Sequence, residues 1–133
     1  MLRTVLNPAG LYNPVPFGYS HTARVPAPAE WVFVSGQYGS TPEGALASPD
    51  FAEQVRQSLE NLGIALDAHG LGFEHVVQLR TYVLNPDRER LALVGRTVVE
   101  ACGTPPPAQT LIGVASLAMP GILFEVDAVA VRP

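Results

Sequence analysis

The stretch His75-Val76-Val77-Gln78-Leu79-Arg80-Thr81-Tyr82-Val83-Leu84 alternates in polarity along its length. Val77, Leu79, Thr81 and Val83 fall on one side, and Gln78, Arg80 and Tyr82 on the other. That is the period of a strand with one face against a core. A helical pattern flanks it on each side. Upstream, Ser48-Pro49-Asp50 offers an N-cap at Ser48 and a proline at the first helical position. Phe51, Val55, Leu59, Leu62 and Leu66 then recur at helical spacing, and Gly70, after His69, suits a left-handed stop. Downstream, Asn85-Pro86 opens a second helix that turns Leu91, Val94, Val98 and Cys102 inward and stops at Gly103.

Further out, both ends of the chain read as strands. Trp31-Val32-Phe33-Val34-Ser35 is a β-branched and aromatic run ended by Gly36. A turn-rich loop follows over residues 38–47, and Pro14, Pro16, Pro26 and Pro28 break the segment before it into short extended pieces. Pro105-Pro106-Pro107 leads rigidly into a strand from about Gln109 to Leu117, and the turn Met119-Pro120-Gly121 leads to a last strand, Ile122 to Val131. Each helix carries a single apolar stripe, so both can cover one face of one sheet. The opposite face would hold Trp31 and Phe33 or their neighbours beside Gln78 and Arg80. The reading is an α+β sandwich of one domain, residues 1–133, whose open sheet face is covered by another subunit.

Composition supports that reading. Of the 133 residues, 47% are hydrophobic and only 15% charged, against roughly 25% charged in an average globular protein. The chain can therefore build a core, but it has little charged surface, which favours burial in an oligomer. All eight basic residues are Arg, and the net charge is −4. An acidic chain without a basic stripe is a poor ligand for a phosphate backbone, so no nucleic-acid partner is expected. One cysteine excludes a disulfide framework and a Cys-based zinc site. No apolar run is long enough to span a membrane, residues 1–10 do not read as a signal peptide, and a cytoplasmic location is expected.

Few residues advertise chemistry. Gly70-Leu71-Gly72 opens a strand rather than a helix, so it is not a dinucleotide-binding loop. His21, His69 and His75 lack metal-ligand spacing: His69 reads as a helix-terminal residue, His75 as a solvated strand start, and His21 as a loop residue beside Tyr19-Ser20. Cys102 reads as core. The final strand is more informative. In Ile122-Leu123-Phe124-Glu125-Val126-Asp127-Ala128-Val129, alternation puts Glu125 and Asp127 together, opposite Phe124, Val126 and Ala128. Two carboxylates within an apolar strand are costly to bury. Either they face solvent or pair with an Arg such as Arg80, or Glu125 works as a proton carrier or water activator.

The ordered set Tyr19-Ser20, Val34-Ser35-Gly36-Gln37, Gln54, Leu59, Asn61, Leu62, Gly70, Pro107-Ala108, Leu117 and Glu125-Val126-Asp127-Ala128-Val129-Ala130 resembles the Rid family of reactive-intermediate (enamine and imine) deaminases, also called the YjgF family. The resemblance runs over nearly the whole chain. It implies a chorismate-mutase-like α+β fold, with one mixed sheet, two helices on one face, and a homotrimer formed through the other. It further implies small-molecule sites between neighbouring subunits, and hydrolysis of unstable enamines or imines to a 2-oxoacid and ammonia without a metal or organic cofactor.

Transferred position by position, the resemblance makes Glu125 the acid that handles a water or proton. Tyr19 and Ser35 would line the ligand pocket, Gly36 would bring its backbone to the ligand, and Leu111 would occupy a position often held by Cys. An Arg that grips the substrate carboxylate in the family is replaced here by Gln109, a neutral amide with no charge and a weaker grip. Gly95 stands where an Asn is frequent near the site, and Phe17-Gly18 replaces Gly-Pro before the tyrosine. The expected ligand is therefore not a simple 2-iminoacid. The alternative is a trimer that binds a ligand or a protein and has lost the chemistry. A ribonuclease is the least expected outcome, for want of a basic groove.

Overall fold

A computed structural model of the chain describes residues 3–133. Ten elements follow one another: strand β1 (Thr4–Leu6), a 3-10 turn (Val15–Phe17), β2 (Thr22–Arg24), β3 (Glu30–Tyr38), helix α1 (Phe51–Asp67), a second 3-10 turn (Phe73–His75), β4 (Val76–Leu84), α2 (Arg88–Cys102), β5 (Ala108–Val114) and β6 (Phe124–Arg132). β1 and β2 form a small antiparallel pair, while the main sheet has the order β3-β6-β4-β5. Within it β4 and β5 run parallel, joined by α2, and β6 is antiparallel to both of its neighbours. The sheet is mixed, and both helices contribute to a single core against one of its faces.

That core joins Val55, Leu59, Leu62 and Leu66 of α1 and Val94 and Val98 of α2 to Leu79 and Val83 of β4 and Phe124, Val126 and Ala128 of β6. Phe124 is fully buried and meets Phe51 edge-on at 6.2 Å, a burial worth about 1.5–3 kcal/mol. The alternation read from β4 holds: Leu79, Thr81 and Val83 are buried, whereas Gln78 and Arg80 are exposed. On the sheet's open face Trp31 is 52% and Phe33 75% exposed.

Two matched polar residues tie the sheet to α1. Gln54 is buried; its amide nitrogen donates to the carbonyls of Ser48 and Gly121, each at 3.0 Å, and its oxygen accepts from Leu123 N–H at 2.8 Å. The entry to β6 is thereby fixed against the start of α1. Asn61 Nδ2 donates to the carbonyls of Tyr38 at 3.0 Å and Ser40 at 3.1 Å, which holds the end of β3 in the same way.

The structure corrects several boundaries. Asp50, not Ser48, caps α1, accepting from Glu53 N–H at 3.1 Å. Asp87, not Asn85, caps α2, accepting from Arg90 N–H at 2.8 Å. Ser48-Pro49-Asp50 and Asn85-Pro86-Asp87 share one design. The aspartate after the proline adds a negative charge at the positive end of the helix. Gly70 and Gly103 do lie past the helix ends, with φ of 71° and 81°.

Gly36 does not end β3. The strand continues to Tyr38 through a bulge, since Val34 pairs with Ala128 and Gln37 with Val126, leaving Ser35 and Gly36 opposite Asp127 alone. β5 ends at Val114, where its partner β4 ends at Leu84, rather than running to Leu117. Leu91 is 42% exposed rather than turned inward, because the inward stripe of α2 is centred on Val94, Gly95 and Val98. His75 is not solvated: its Nδ1 accepts from Gly72 N–H at 2.9 Å and closes the turn before β4. Cys102 packs against the core, and burial pushes its thiol up to about 11.

Candidate functional site

Sheet register sorts the candidate residues into two groups. Gln109 and Leu111 on β5 lie beside Leu79 and Thr81, on the face that the helices cover. Glu125 on β6 lies beside Tyr82, in the set that points the other way. Ser35 and Gly36 occupy the bulge on β3, both exposed.

The Glu125 carboxylate lies against the Gly36 backbone. A Cβ added at Gly36 would come within 2.9 Å of the Glu125 carboxyl carbon, so a larger residue there would displace the carboxylate. A bulge of two residues against one bends the strand and re-aims what it carries, and here it brings the Gly36 backbone against Glu125 and leaves Ser35 exposed. The neighbouring Asp127 is fully engaged. It accepts from Arg80 Nε and from the Tyr82 hydroxyl, each at 2.9 Å. Burial, then the hydrogen bond to Asp127, holds the Tyr82 phenol above the usual tyrosine range. Of the two carboxylates on this face, Asp127 is therefore the paired one, while Glu125 takes no side-chain hydrogen bond or ion pair among the described residues. A half-buried, unpaired carboxylate beside exposed backbone can hold or transfer a proton.

Leu111 borders a cavity of about 1160 Å³ between the turn at Val15–Phe17 and α2, together with Tyr19, Leu91, Gly95 and Arg96 among its lining residues. The turn seats directly on the helix. A Cβ at Gly95 would lie 2.6 Å from the Phe17 carbonyl oxygen, and one at Gly18 would meet the Gly95 backbone just as closely. Ser20 fixes the other end of this loop: it is buried, its N–H donates to the Pro107 carbonyl at 3.0 Å, and it bridges to Ala108 at the start of β5.

Tyr19 packs edge-on against Tyr12 and His21, at centroid distances of 6.4 and 5.6 Å. Its hydroxyl hydrogen-bonds that of Tyr12. His21 Nε2 lies 2.8 Å from the Tyr12 carbonyl, so the histidine braces the aromatic cluster. Gln109 does not line the cavity. Its oxygen accepts from the Thr81 hydroxyl at 3.0 Å and its nitrogen donates to the Gly18 carbonyl at 3.3 Å. The amide therefore fastens the loop to the sheet. Phe17-Gly18, Gly95 and Gln109 are thus linked through Gly18.

Sequence reasoning missed Tyr12, Tyr82 and Thr81. Thr81 left the clearest signal, a hydroxyl in an otherwise apolar inward set, since a buried hydroxyl must find a partner. Among the described residues no group of three or more His, Cys, Asp or Glu is placed to hold a metal ion. No helix there is long and apolar enough to cross a membrane.

Comparison with known proteins gives a consistent picture. The family described as Endoribonuclease L-PSP matches residues 14–132. The chain is 32% identical over 133 residues to the RutC family protein YjgH of Escherichia coli, covering 98% of this chain and 96% of that one. It is 34% identical over 102 residues to the 2-iminobutanoate/2-iminopropanoate deaminase of Homo sapiens, covering 76% and 72%. Among solved structures, the Rid-family protein of unknown function YyfB from Yersinia pestis matches with a TM-score of 0.92 at 35% identity, covering 99% of this chain and 100% of its own.

Proposed function

The chain belongs to the Endoribonuclease L-PSP family, the YjgF or Rid family, and from that premise we propose that it is a cytoplasmic, single-domain hydrolase of an enamine, imine or related C–N bond. What supports this reading is the split of the candidate residues. Tyr19 and Leu111 border the cavity on the helix side, while Ser35, Gly36 and Glu125 occupy the open sheet face. A site that uses both groups is completed when the open face of one subunit meets the cavity of the next, as in a homotrimer. The exposed Trp31 and Phe33 supply apolar area for that contact.

In the proposed reaction, Glu125 accepts a proton from water as the water oxygen bonds to the imine carbon. Glu125 returns that proton to the imine nitrogen to give a carbinolamine. The hydroxyl proton then passes through Glu125 to the nitrogen as the C–N bond breaks, and ammonia leaves behind a C=O group. Neither a metal nor an organic cofactor takes part. Because the Gln109 amide is occupied by Thr81 and Gly18, the preferred substrate is not a simple 2-iminoacid. The same occupation favours a second reading, a trimer that binds a ligand or a protein and performs no chemistry. A net charge of −4 weighs against RNA as the substrate.

The deciding experiment is ammonia release from freshly generated 2-iminopropanoate by the native protein and its Gln109→Arg and Glu125→Gln variants. Gln109→Arg is expected to raise turnover at least about tenfold, through a charge-assisted grip on the carboxylate. In the Gln109→Arg background, Glu125→Gln should then lower it about a hundred- to ten-thousand-fold. Inactivity of every form would favour the binding protein, and fast turnover by the native form would show that a different group holds the carboxylate.

A further inference from the structure

We propose that the cavity beside α2 takes an organic anion with an apolar body larger than that of a simple 2-iminoacid, and that Arg96 holds its anionic group. This inference rests on the reading of that cavity as the substrate half of the site. Its volume of about 1160 Å³ exceeds the roughly 300–1,000 Å³ that encloses a drug-sized ligand. Val15, Phe17, Leu91, Val99 and Leu111 supply apolar lining. Gln109 is neutral and spends both ends of its amide on the protein, so an anionic group must find its counter-charge elsewhere along the wall.

Arg96 is the cation placed for that task. It follows Gly95, on which the Phe17 carbonyl rests, and it is exposed in the cavity wall. It takes no ion pair or hydrogen bond among the described residues. The contrast with α1 is informative: there Arg56 pairs with Glu60 at 2.9 Å across the same four-residue spacing that separates Arg96 from Glu100. Glu100 lines the same cavity, one helical turn on, and makes no ion pair with Arg96 among the described residues. Of the other charged lining groups, Asp87 is spent on capping α2, and Arg88 lies about 12 Å along the helix from Arg96, at 1.5 Å per residue. A planar guanidinium that lacks an internal partner can grip a carboxylate with two charge-assisted hydrogen bonds.

The test is calorimetric titration of the native protein with phenylpyruvate, with pyruvate, and with phenylacetone. These stable probes carry, respectively, the apolar body and the carboxylate, the carboxylate alone, and the body alone. Phenylpyruvate should bind at least about tenfold more tightly than either of the others, and Arg96→Ala should remove that advantage. Arg88→Ala should change it less than about threefold, and Arg96→Lys should restore part of it. Equal binding of pyruvate, no binding of phenylpyruvate, or an unaffected Arg96→Ala protein would each overturn the inference. Binding is read without turnover, so the hydrolase reading fails separately. Intact, Arg96-dependent binding combined with ammonia release that is indifferent to Glu125→Gln would sink the chemistry and leave the anion site standing.

Discussion

The region around Glu125 and the region around α2 achieve precision in different ways. Glu125 stands on a strand hydrogen-bonded on both sides, and ladder register sets its neighbours, with Tyr38 on one flank and Tyr82 on the other. The cavity wall is instead an irregular loop laid against a helix. Its geometry depends on two glycines in backbone contact, one buried serine and one amide. A strand site tolerates changes in its surroundings as long as the ladder persists. A loop seated on a helix moves as soon as either contact surface gains an atom. Under the proposed function, the chemistry is therefore kept on the sheet, and ligand choice varies at the loop.

Three experiments sharpen or break that comparison. The largest effect is expected at Gly36→Val, which drives a side chain into the Glu125 carboxylate. Turnover of whichever substrate is processed should fall about a hundred-fold while the melting temperature barely moves. Comparable losses of stability and activity would show that the bulge is structural only. Next, Gly95→Leu forces the Phe17 loop off α2. It should cost about 1–3 kcal/mol, read as a lowered midpoint in urea denaturation, and it should weaken ligand binding. A neutral result would mean that the loop is free to lift.

The smallest effect concerns Tyr82, whose phenol is raised by burial and by its bond to Asp127. Because its folded value lies above its unfolded value, its contribution to stability is complete below the ordinary tyrosine value of about 10 and is lost as pH rises through the raised one. The phenolate absorbance that disappears in Tyr82→Phe should titrate above that value. Asp127→Asn should bring it part of the way down, and an unchanged titration would remove Asp127 from the account.

The same contrast governs what could be read from the residues alone. Alternation placed Glu125 and Asp127 together and named Arg80 as a partner, because a strand's period of two maps sequence directly onto faces. The helix stripes were equally legible, apart from Leu91 at the margin of its stripe. Both caps were read two residues early, since Ser48 and Asn85 are themselves good caps and only the backbone reveals that the aspartate after each proline does the work. The occupation of Gln109 was beyond reach. It joins residues 18, 81 and 109, and no local period links positions so far apart.

Strand order adds a consequence for the sequence of assembly. β6 is the last strand along the chain, yet it is inserted between β3 and β4, with Glu30 paired to Arg132. Until it arrives, β3 and β4 have no shared partner, and each pairing it makes with β3 closes a loop spanning most of the chain, the slow kind of contact in folding. A nascent or truncated chain that stops before Phe124 has neither Glu125 nor a completed sheet, and it lacks the Phe124, Val126 and Ala128 that the helices cover. The protein therefore acquires its fold and its candidate acid in the same late step, and a partly made chain has no half-active form to release.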